Sequence, residues 1–315
     1  MTQSTLSQGT LSQRLDANEN IFFQRQLEYI KAQTYDIKYP ALKARELFPV
    51  SYEAGPAAKT ITYRQFDQVG MAKIIANYSR DFNRVDITGK EFTANVRSLG
   101  ASYAYNFQEI RSATLTGMNL QQSRANAARR AILQLENQIA LQGDADNNLS
   151  GFLTNPNITT TAVANDGDGS STLWADKDAD QIIRDMNALV NGVVAITKGV
   201  ETPNILLLPI SQYTFISATP RSSTNDTTIL QYFLNNNPFI QVVDWLNELS
   251  GAGSGGTDVM VCYDRNPDKL TLEIPSDFEQ FPPQEQGLEF VIHCHERIGG
   301  VTIYYPLSVA VGEGI

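Results

Sequence analysis

The sequence predicts a mixed fold of the α+β class. One helical pattern runs without a break from residue 118 to 142, and helical and strand patterns then alternate over residues 150–260 without a strict βαβ rhythm. Four strand patterns follow one another after residue 257. With 315 residues, of which 42% are apolar, the chain has enough material for one large globular unit or two modest domains.

The N-terminal part is predicted to be a polar terminus followed by an arm. Residues 1–20 are rich in Ser, Gln, Asn and Thr, which is typical of a mobile terminus and lacks the apolar region of a signal peptide. Residues 21–45 mix apolar anchors with scattered charge, and Pro40 ends any helix there. No run of eighteen apolar residues occurs, so we expect a soluble protein that stays inside the cell that makes it.

Residues 60–110 have the composition of strands. β-branched and aromatic residues are frequent, and Gly70, Gly89 and Gly100 punctuate the segment. Because bulky aliphatic residues are few, a sheet of these strands is hard to bury by itself, and we expect an extended hairpin that projects from the body. An ordinary antiparallel sheet on the body is the open alternative.

The clearest predicted element is the helix over residues 118–142. Its apolar positions recur with the 3-4-3-4 spacing of one helix face, and Gly143 stands where a helix commonly ends. The helix would be roughly 36 Å long. Coiled-coil pairing is a weaker alternative, since fewer than four heptads are present. The predicted buried face consists of Ala125, Ala128, Ile132, Leu135 and Ile139.

The remaining chain alternates helices and strands. Apolar periodicity predicts helices over residues 178–196 and 228–236, the first stopped by Gly199. Short apolar runs predict the strands, which lie at residues 203–209, 239–245, 258–264, 269–274, 288–298 and 301–311.

The charge of the chain argues against a dedicated nucleic-acid binder. The formal net charge is −10, whereas such proteins need a basic surface. Residues 1–135 hold 17 Lys and Arg against 11 Asp and Glu, and residues 136–315 hold 7 against 23. Two independently solvated surfaces would explain this asymmetry, but it also suits many copies that meet basic part against acidic part.

Basic charge is concentrated on the predicted hairpin, between residues 59 and 97. This segment contains seven basic residues and only four acidic ones. We predict that the basic residues contact the acidic part of a neighbouring subunit. These candidate inter-subunit contacts are Lys59, Arg64, Lys73, Arg80, Arg84, Lys90 and Arg97.

Motifs of catalysis and cofactor binding are weak. The segment "GAGSGG", residues 251–256, satisfies G-x-G-x-x-G, but a strand follows it where a dinucleotide site needs a helix, so we interpret it as a surface loop. Residues 144–148 and 165–171 resemble calcium loops that lack the required glycine or closing carboxylate, and we interpret them as Asx-rich turns. We expect no catalytic, cofactor or metal site, although an enzyme built on carboxylates alone would leave no local signature.

Both histidines of the chain flank one of its two cysteines in "HCH", residues 293–295. Alternation along a strand sends Cys294 to the core face and both histidines to the polar face. A zinc site using all four His and Cys residues is therefore disfavoured, because Cys294 would have to turn through the sheet to join Cys262. Two cysteines cannot form a disulfide framework, and we expect free thiols in a reducing compartment.

The end of the chain resembles a known family. Residues 296–315, "ERIGGVTIYYPLSVAVGEGI", read as a strand, a Gly-Gly turn and a second strand, and they resemble the C-terminus of tailed-phage major capsid proteins of the Hong Kong 97-type fold. "DQVGMAKIIANYSRDFNRVDI" and "ASYAYNFQEI" look like the extended loop of a subgroup of these proteins, and the predicted long helix looks like their spine helix. The resemblance covers most of the chain and is carried by the order of elements.

The resemblance implies a division of the chain into the parts of that fold. The segments, in order, are an N-terminal arm at 1–45, an extended loop at 46–112, a peripheral domain with the spine helix at 113–150, an axial domain at 151–260 and closing strands of the peripheral domain at 261–315.

The resemblance also implies a structural protein and not an enzyme. Copies would assemble as hexamers and pentamers into an icosahedral shell around viral double-stranded DNA, in the host cytoplasm, and reside in the virion. Because only about twenty polar residues precede the arm, scaffolding would be a separate protein or unnecessary. Portal and decoration proteins are further expected partners, and DNA would be met by proximity alone. The shell of a cellular nanocompartment and, less closely, a carboxylate-based α+β enzyme stay open as alternatives.

Overall fold

The computed structural model describes residues 39–70, 85–116, 120–222 and 225–315. Predictions for the polar terminus, for most of the arm and for "MAKIIANYSRDF" lie outside these residues. The chain divides at Leu42 into two units, and the account below concerns the second, residues 42–315.

Six α-helices occur in the described residues, and they confirm the three helices predicted from periodicity. The structure differs from the prediction at α2, where the sequence predicts strand up to residue 110. A helix begins there instead, because the side chain of Asn106 accepts a hydrogen bond from Gln108 N at 3.0 Å and caps it. The helices are α1 Ala44–Leu47, α2 Phe107–Thr116, α3 Leu120–Gln142, α4 Ala179–Ile196, α5 Ile210–Ala218 and α6 Ile229–Asn236.

The strands agree with the predicted strand positions in the C-terminal half of the chain, except that the single strand predicted over residues 301–311 is divided into two by a 3-10 turn at Pro306–Ser308. In order, they are β1 Val50–Ser51, β2 Thr60–Val69, β3 Asp86–Asn95, β4 Arg97–Asn106, β5 Thr159–Ala162, β6 Ile205–Leu208, β7 Pro220–Ser222, β8 Asn225–Thr228, β9 Val242–Trp245, β10 Val259–Tyr263, β11 Leu270–Glu273, β12 Ser276–Gln280, β13 Gln284–Gln286, β14 Glu289–Ile298, β15 Gly300–Ile303 and β16 Val309–Glu313.

The predicted extended hairpin is formed by β2 and β3, which within the described chain pair only with each other, from Thr60 opposite Asn95 to Val69 opposite Asp86. The segment "ASYAYNFQEI", residues 101–110, is not part of this two-stranded hairpin. Its strand, β4, pairs along its whole length with β14, so here the alternative of a sheet on the body holds. Composition could not separate the two cases, because the partner strand lies near the other end of the chain.

Three sheets build the body. β4 joins β12, β13 and β14 in one sheet, and β1, β11 and β15 form a second. The third is five-stranded with the order β5-β16-β10-β6-β9. β16 therefore lies in the middle of a sheet whose other strands come mainly from residues 151–260, which departs from the predicted grouping of all of 261–315 with the closing strands of the peripheral domain.

The five-stranded sheet is apolar on both faces. In β6, Ile205 and Leu207 pack into one apolar cluster with α3, while Leu206 and Leu208 pack into another with α4. Alternate side chains of a strand point to opposite faces, so a continuous apolar run is what a sheet covered on both sides requires. The helix α4 that covers one face begins with a capping box between Asp178 and Gln181.

The helix α3 is buried along a face that differs from the predicted one. Ala128, Ile132 and Ile139 are buried as predicted, but Leu135 is 42% exposed and the predicted burial of this residue is wrong. The position that points inward is the next one, Glu136, which is only 2% exposed because Arg45 pairs with its carboxylate. The helix ends as predicted at Gly143, whose φ of +74° favours glycine.

The weak motifs of the sequence form turns. A 3-10 turn at Asn247–Leu249 precedes "GAGSGG" and β10 follows it, so the segment is a loop before a strand. In the 144–148 segment, the Asp144 side chain accepts hydrogen bonds from Asn147 N and Nδ2 at 3.2 and 2.7 Å, which is an Asx turn as predicted. None of the helices in the described residues is long and apolar enough to cross a membrane.

Candidate assembly interface

The β2–β3 hairpin presents apolar side chains to solvent on a two-stranded ribbon. Phe66 is 67% exposed and Ile87 is 62% exposed, and Val69 and Val85 are exposed to similar degrees. A ribbon of two strands is marginally stable in water by itself, and both of its edges carry unpaired backbone groups. Exposed apolar surface of this kind marks a site of protein–protein contact.

The root of the hairpin is fixed to the body by aromatic packing. The ring of Tyr63 stacks on Phe92 at a centroid distance of 5.2 Å and meets Tyr304 edge to face at 4.9 Å. Tyr304 is held in turn, because its hydroxyl donates to Glu273 Oε1 at 3.1 Å. Burial raises the pKa of Tyr304 to about 12 and also raises the pKa of Tyr63, so both phenols stay neutral in this packing at physiological pH.

Two grooves flank this root. One of about 950 Å³ lies between β2, residues 49–53 and the loop at 267–268. Another of about 480 Å³ lies between the hairpin and residues 155–157. The rim of the larger groove carries exposed aromatic rings, those of Tyr52, Phe66 and Tyr305. Aromatic residues are enriched at protein interfaces, so the hairpin and its grooves together form a surface suited to a protein partner.

The predicted basic contacts fall into three groups. Lys59 and Lys90 are exposed, at the start of the hairpin and on β3. Arg64 Nε lies 2.8 Å from Glu91 Oε1 on the paired strand, so its charge is already balanced within the subunit. Arg97 opens β4 on the body and donates to Asn147 O at 3.2 Å. The other three predicted contacts, Lys73, Arg80 and Arg84, lie outside the described residues.

Sequence reasoning missed the exposed apolar residues of the hairpin, which the structure makes the stronger mark of an interface. A signal was present in β2: Ile61 and Tyr63 alternate with polar neighbours and face the body, whereas Phe66 stands beyond the end of that alternation. An aromatic residue that breaks the pattern on an extended hairpin indicates a surface covered by something other than its own subunit.

The alternation predicted for the histidine segment is confirmed. Cys294 is buried in β14, while His293 and His295 are partly exposed. His295 Nδ1 lies 3.4 Å from Glu279 Oε1, a contact at the long end of hydrogen-bonding distance. Among the described residues, no cluster of three His, Cys, Asp or Glu side chains is placed to hold a metal ion. Burial raises the pKa of the Cys262 thiol to about 12, which makes it unreactive.

Replacing His293 and His295 together by Gln is expected to leave fold and assembly intact at neutral pH, because both side chains lie on the polar face of β14. Circular dichroism, sedimentation velocity and a metal assay of the purified protein would check this. Stoichiometric zinc in the wild type that is lost in the variant together with assembly would contradict it.

Comparison with solved structures identifies the fold as that of phage capsid proteins. A chain from the capsid of Myoviridae phage XM1 matches with a TM-score of 0.81 at 16% identity, covering 94% of this chain and 100% of that chain. A Mycobacterium phage Ogopogo chain matches with 0.61 at 14% identity, covering 92% and 97%. A virus-like particle from Pyrococcus furiosus matches with 0.53 at 14% identity, covering 85% and 91%. At such identities the likeness establishes the fold, which is the Hong Kong 97-type fold.

Sequence comparison adds the family. No curated protein matches the chain. A family model described as major capsid protein matches residues 70–315, which includes the second strand of the hairpin, α3 and, apart from β1, the strands of the three sheets of the body. The chain therefore belongs to the major capsid protein family and is a shell-forming protein of the Hong Kong 97-type fold.

Proposed function

We propose that this chain is the major capsid protein of a tailed bacteriophage, and that its copies form the hexamers and pentamers of an icosahedral shell around double-stranded DNA. The observation that carries the proposal is the β2–β3 hairpin, whose exposed apolar side chains lack cover from their own subunit in the described structure. The family match and the near-complete coverage of the XM1 capsid chain support it. The same support favours a phage capsid over a nanocompartment shell or an enzyme.

The role in the virion is structural and non-catalytic in this proposal. An acidic chain suits a DNA container, since a strongly basic wall would bind the packaged polymer tightly everywhere. DNA is then met by proximity and not by sequence-specific binding. A separate scaffolding protein, a portal and decoration proteins are the further partners that we propose, with assembly in the host cytoplasm.

We also propose the domain division of that fold for this chain. Residues 1–45 are the arm, 46–112 the extended loop, 113–150 the part of the peripheral domain with the spine helix, 151–260 the axial domain and 261–315 the closing strands. Two refinements follow from strand pairing: β4 belongs with the peripheral sheet through β14, and β16 belongs with the axial sheet through β5 and β10.

In the assembled shell, the hairpin is proposed to lie on a neighbouring subunit. Residues 59–97 carry a net positive charge, whereas no Lys or Arg occurs between Lys269 and Arg297. That acidic stretch exposes Glu279, Glu285 and Glu289. Opposite charge guides the hairpin to such a surface, and burial of Phe66 and Ile87 then supplies the larger share of the contact energy.

Charge on the hairpin acts through repetition. A single exposed ion pair commonly contributes less than about 1 kcal/mol, but a closed shell repeats each contact many times. Salt should weaken this contribution, because the Debye length falls from about 10 Å at 0.1 M to about 3 Å at 1 M.

Reversal of three basic residues tests the proposal. The variant Arg80→Glu, Arg84→Glu, Lys90→Glu is expected to give a soluble, folded subunit that fails to close shells, and raised salt should weaken wild-type assembly in the same direction. Circular dichroism reports the fold, and sedimentation velocity with negative-stain microscopy reports the shell.

A matched control separates hairpin charge from total charge. The variant Arg111→Glu, Lys198→Glu, Arg265→Glu changes the net charge by the same amount at exposed positions outside the hairpin and should still assemble. Normal shells from the hairpin variant at low salt would show that its charge is only a solvated face and would remove this part of the proposal. A wild-type protein that forms no closed particle under any assembly condition would contradict the capsid function itself.

A further inference from the structure

Four charged side chains from four separate elements meet beside α1. Arg45 of α1 donates from Nε and Nη2 to the two carboxylate oxygens of Glu136 on α3, at 2.8 and 2.7 Å. Its Nη2 also lies 2.9 Å from Asp277 Oδ1 on β12 and 3.1 Å from Glu296 Oε1 on β14. One guanidinium therefore joins α1 to α3 and to two strands of the sheet formed by β4, β12, β13 and β14.

Negative charge exceeds positive charge in this cluster. Glu296 is 0% exposed and Glu136 is 2% exposed, so two carboxylates are withdrawn from water around one cation. Glu296 Oε2 has no hydrogen-bond donor among the described residues, and the neighbouring carboxylate of Glu136 is an acceptor when ionised. A proton on one of the two acids would convert this repulsion into a hydrogen bond.

The surroundings favour that proton on Glu296. Burial is the largest cause that raises the pKa of Glu296, which lies at about 8. The hydrogen bond that protonated Glu296 makes with Glu136 and the negative charge of Glu136 also raise it. The hydrogen bond to Glu136 raises the pKa of Arg45 further, so the guanidinium stays charged. Burial tends to raise the pKa of Asp277. The hydrogen bond from Arg45 lowers it, the positive charge of Arg129 on α3 also lowers it, and the net effect is a lowered pKa.

We propose that Arg45, Glu136, Asp277 and Glu296 form a pH-sensitive clasp that holds α1 against α3 and β14 while Glu136 and Glu296 share a proton, and that loosens when this proton is lost. This goes beyond the capsid function, because it concerns how each subunit fastens the segment from which its N-terminal arm departs. Without this proton, three carboxylates surround one guanidinium, and two of them, those of Glu136 and Glu296, are withdrawn from water.

Loss of the shared proton needs to affect only α1 and the residues around it. α1 has four residues and depends on tertiary contacts, since so short a helix is unstable alone. Two further hydrogen bonds hold it: Ala44 N donates to Asn137 Oδ1 at 3.0 Å, and Tyr263 Oη donates to Leu47 O at 2.9 Å. Lys43 adds an ion pair with Asp244 at 2.8 Å and places Nζ 3.6 Å from the centre of the Trp245 ring.

The direction of the pH effect follows from the pKa of Glu296. Between the ordinary pKa of a glutamate, 4.5, and the raised pKa of about 8, the folded protein binds more protons at this site than the unfolded chain does. Stability therefore falls as the pH rises through that window and levels off above it. The lowered pKa of Asp277 acts below its usual value of 3.8, outside the same window.

Trp245 can report the clasp. Trp174 is buried with an indole N–H that has no partner among the described residues, so Trp174→Phe leaves Trp245 as the single tryptophan at no loss of a described hydrogen bond. In this background the full-length protein is expected to show a change in Trp245 emission with a midpoint near pH 8, and a urea midpoint that falls between pH 5 and 8. Glu296→Gln keeps the hydrogen bond without the titration and should abolish both effects.

Two further variants keep the test decisive. His293→Gln with His295→Gln removes both histidines of the chain and should leave the transition unchanged. If Glu296→Gln does not fold, Glu136→Gln should move the transition down by about one pH unit or more, because it removes the neighbouring negative charge. An unchanged transition in Glu296→Gln, or in Glu136→Gln where that variant has to serve, would overturn the clasp, as would its loss in the histidine variant.

Discussion

Replacing Ile132 by Ala is expected to lower the free energy of unfolding by about 2–5 kcal/mol, the usual cost of removing a large aliphatic side chain from a core. Ile132 is 2% exposed and packs into the cluster that α3 shares with the five-stranded sheet. Leu135→Ala, one turn away on the same helix, should cost less than about 1 kcal/mol, because its side chain is already 42% in water.

Urea denaturation of the unassembled subunit would measure both values, with circular dichroism to follow the helix. The pair is matched, since both changes leave an alanine in the same helix. Equal losses in the two variants would mean that the face of α3 packed on the body has been misassigned. A loss in Leu135→Ala that appears only in assembled shells would instead place Leu135 in a contact between subunits.

Elements whose signal is local were predictable from the sequence. The capping residue Asp178 and the stop at Gly199 bound α4, and Gly143 ends α3 with the positive φ that the sequence position predicts. The buried strands β6 and β10 are apolar without interruption, which a sheet covered on both faces requires. Local chemistry determines these elements, so a window of residues suffices to find them.

Buried charge was not predictable, because its partners are remote in sequence. Arg45 is separated from Glu136 by 91 positions and from Glu296 by 251. Periodicity treats a charged residue as exposed, which is why the predicted face of α3 included Leu135 and omitted Glu136. In β14, Glu296 follows Cys294 on the core face by strict alternation, and that was the one local sign of the clasp.

The candidate interface was predictable only in part, because its pairing also depends on residues that are remote in sequence. Basic charge on the hairpin is visible in the sequence, but whether a given side chain is already paired depends on register. Arg64 sits opposite Glu91 in the hairpin and Arg97 donates to Asn147 on the body, so neither is as free for a neighbour as composition suggested. The exposed rings and aliphatic groups became significant only once β2 and β3 were seen to lack a covering layer in the described structure.

A second large effect is expected in the part of the chain proposed as the axial domain. The side chains of Lys177 and Asp185 are 0% and 2% exposed, and the Lys177 ammonium lies 2.6 Å from Asp185 Oδ2 on α4. Lys177→Met would leave that carboxylate buried beside only the half-exposed Arg184, whose Nη2 is 3.6 Å away. Removing one partner of a buried ion pair typically costs about 3–5 kcal/mol, and we expect a loss of that size in urea denaturation.

The double variant Lys177→Met, Asp185→Leu provides the control, since it replaces both charges of this pair by apolar groups. Asp166, whose Oδ1 lies 3.5 Å from Lys177 Nζ, keeps its ion pair with Arg184. It should recover most of the stability lost in the single variant, because replacing a whole buried pair is commonly neutral or stabilising. The recovery will be incomplete, since Ala164 O also loses the hydrogen bond that it accepts from Lys177 Nζ at 2.6 Å. If the double variant is as unstable as Lys177→Met, the loss comes from packing around the lysine and not from an unpaired carboxylate, and the pair does not act as a unit.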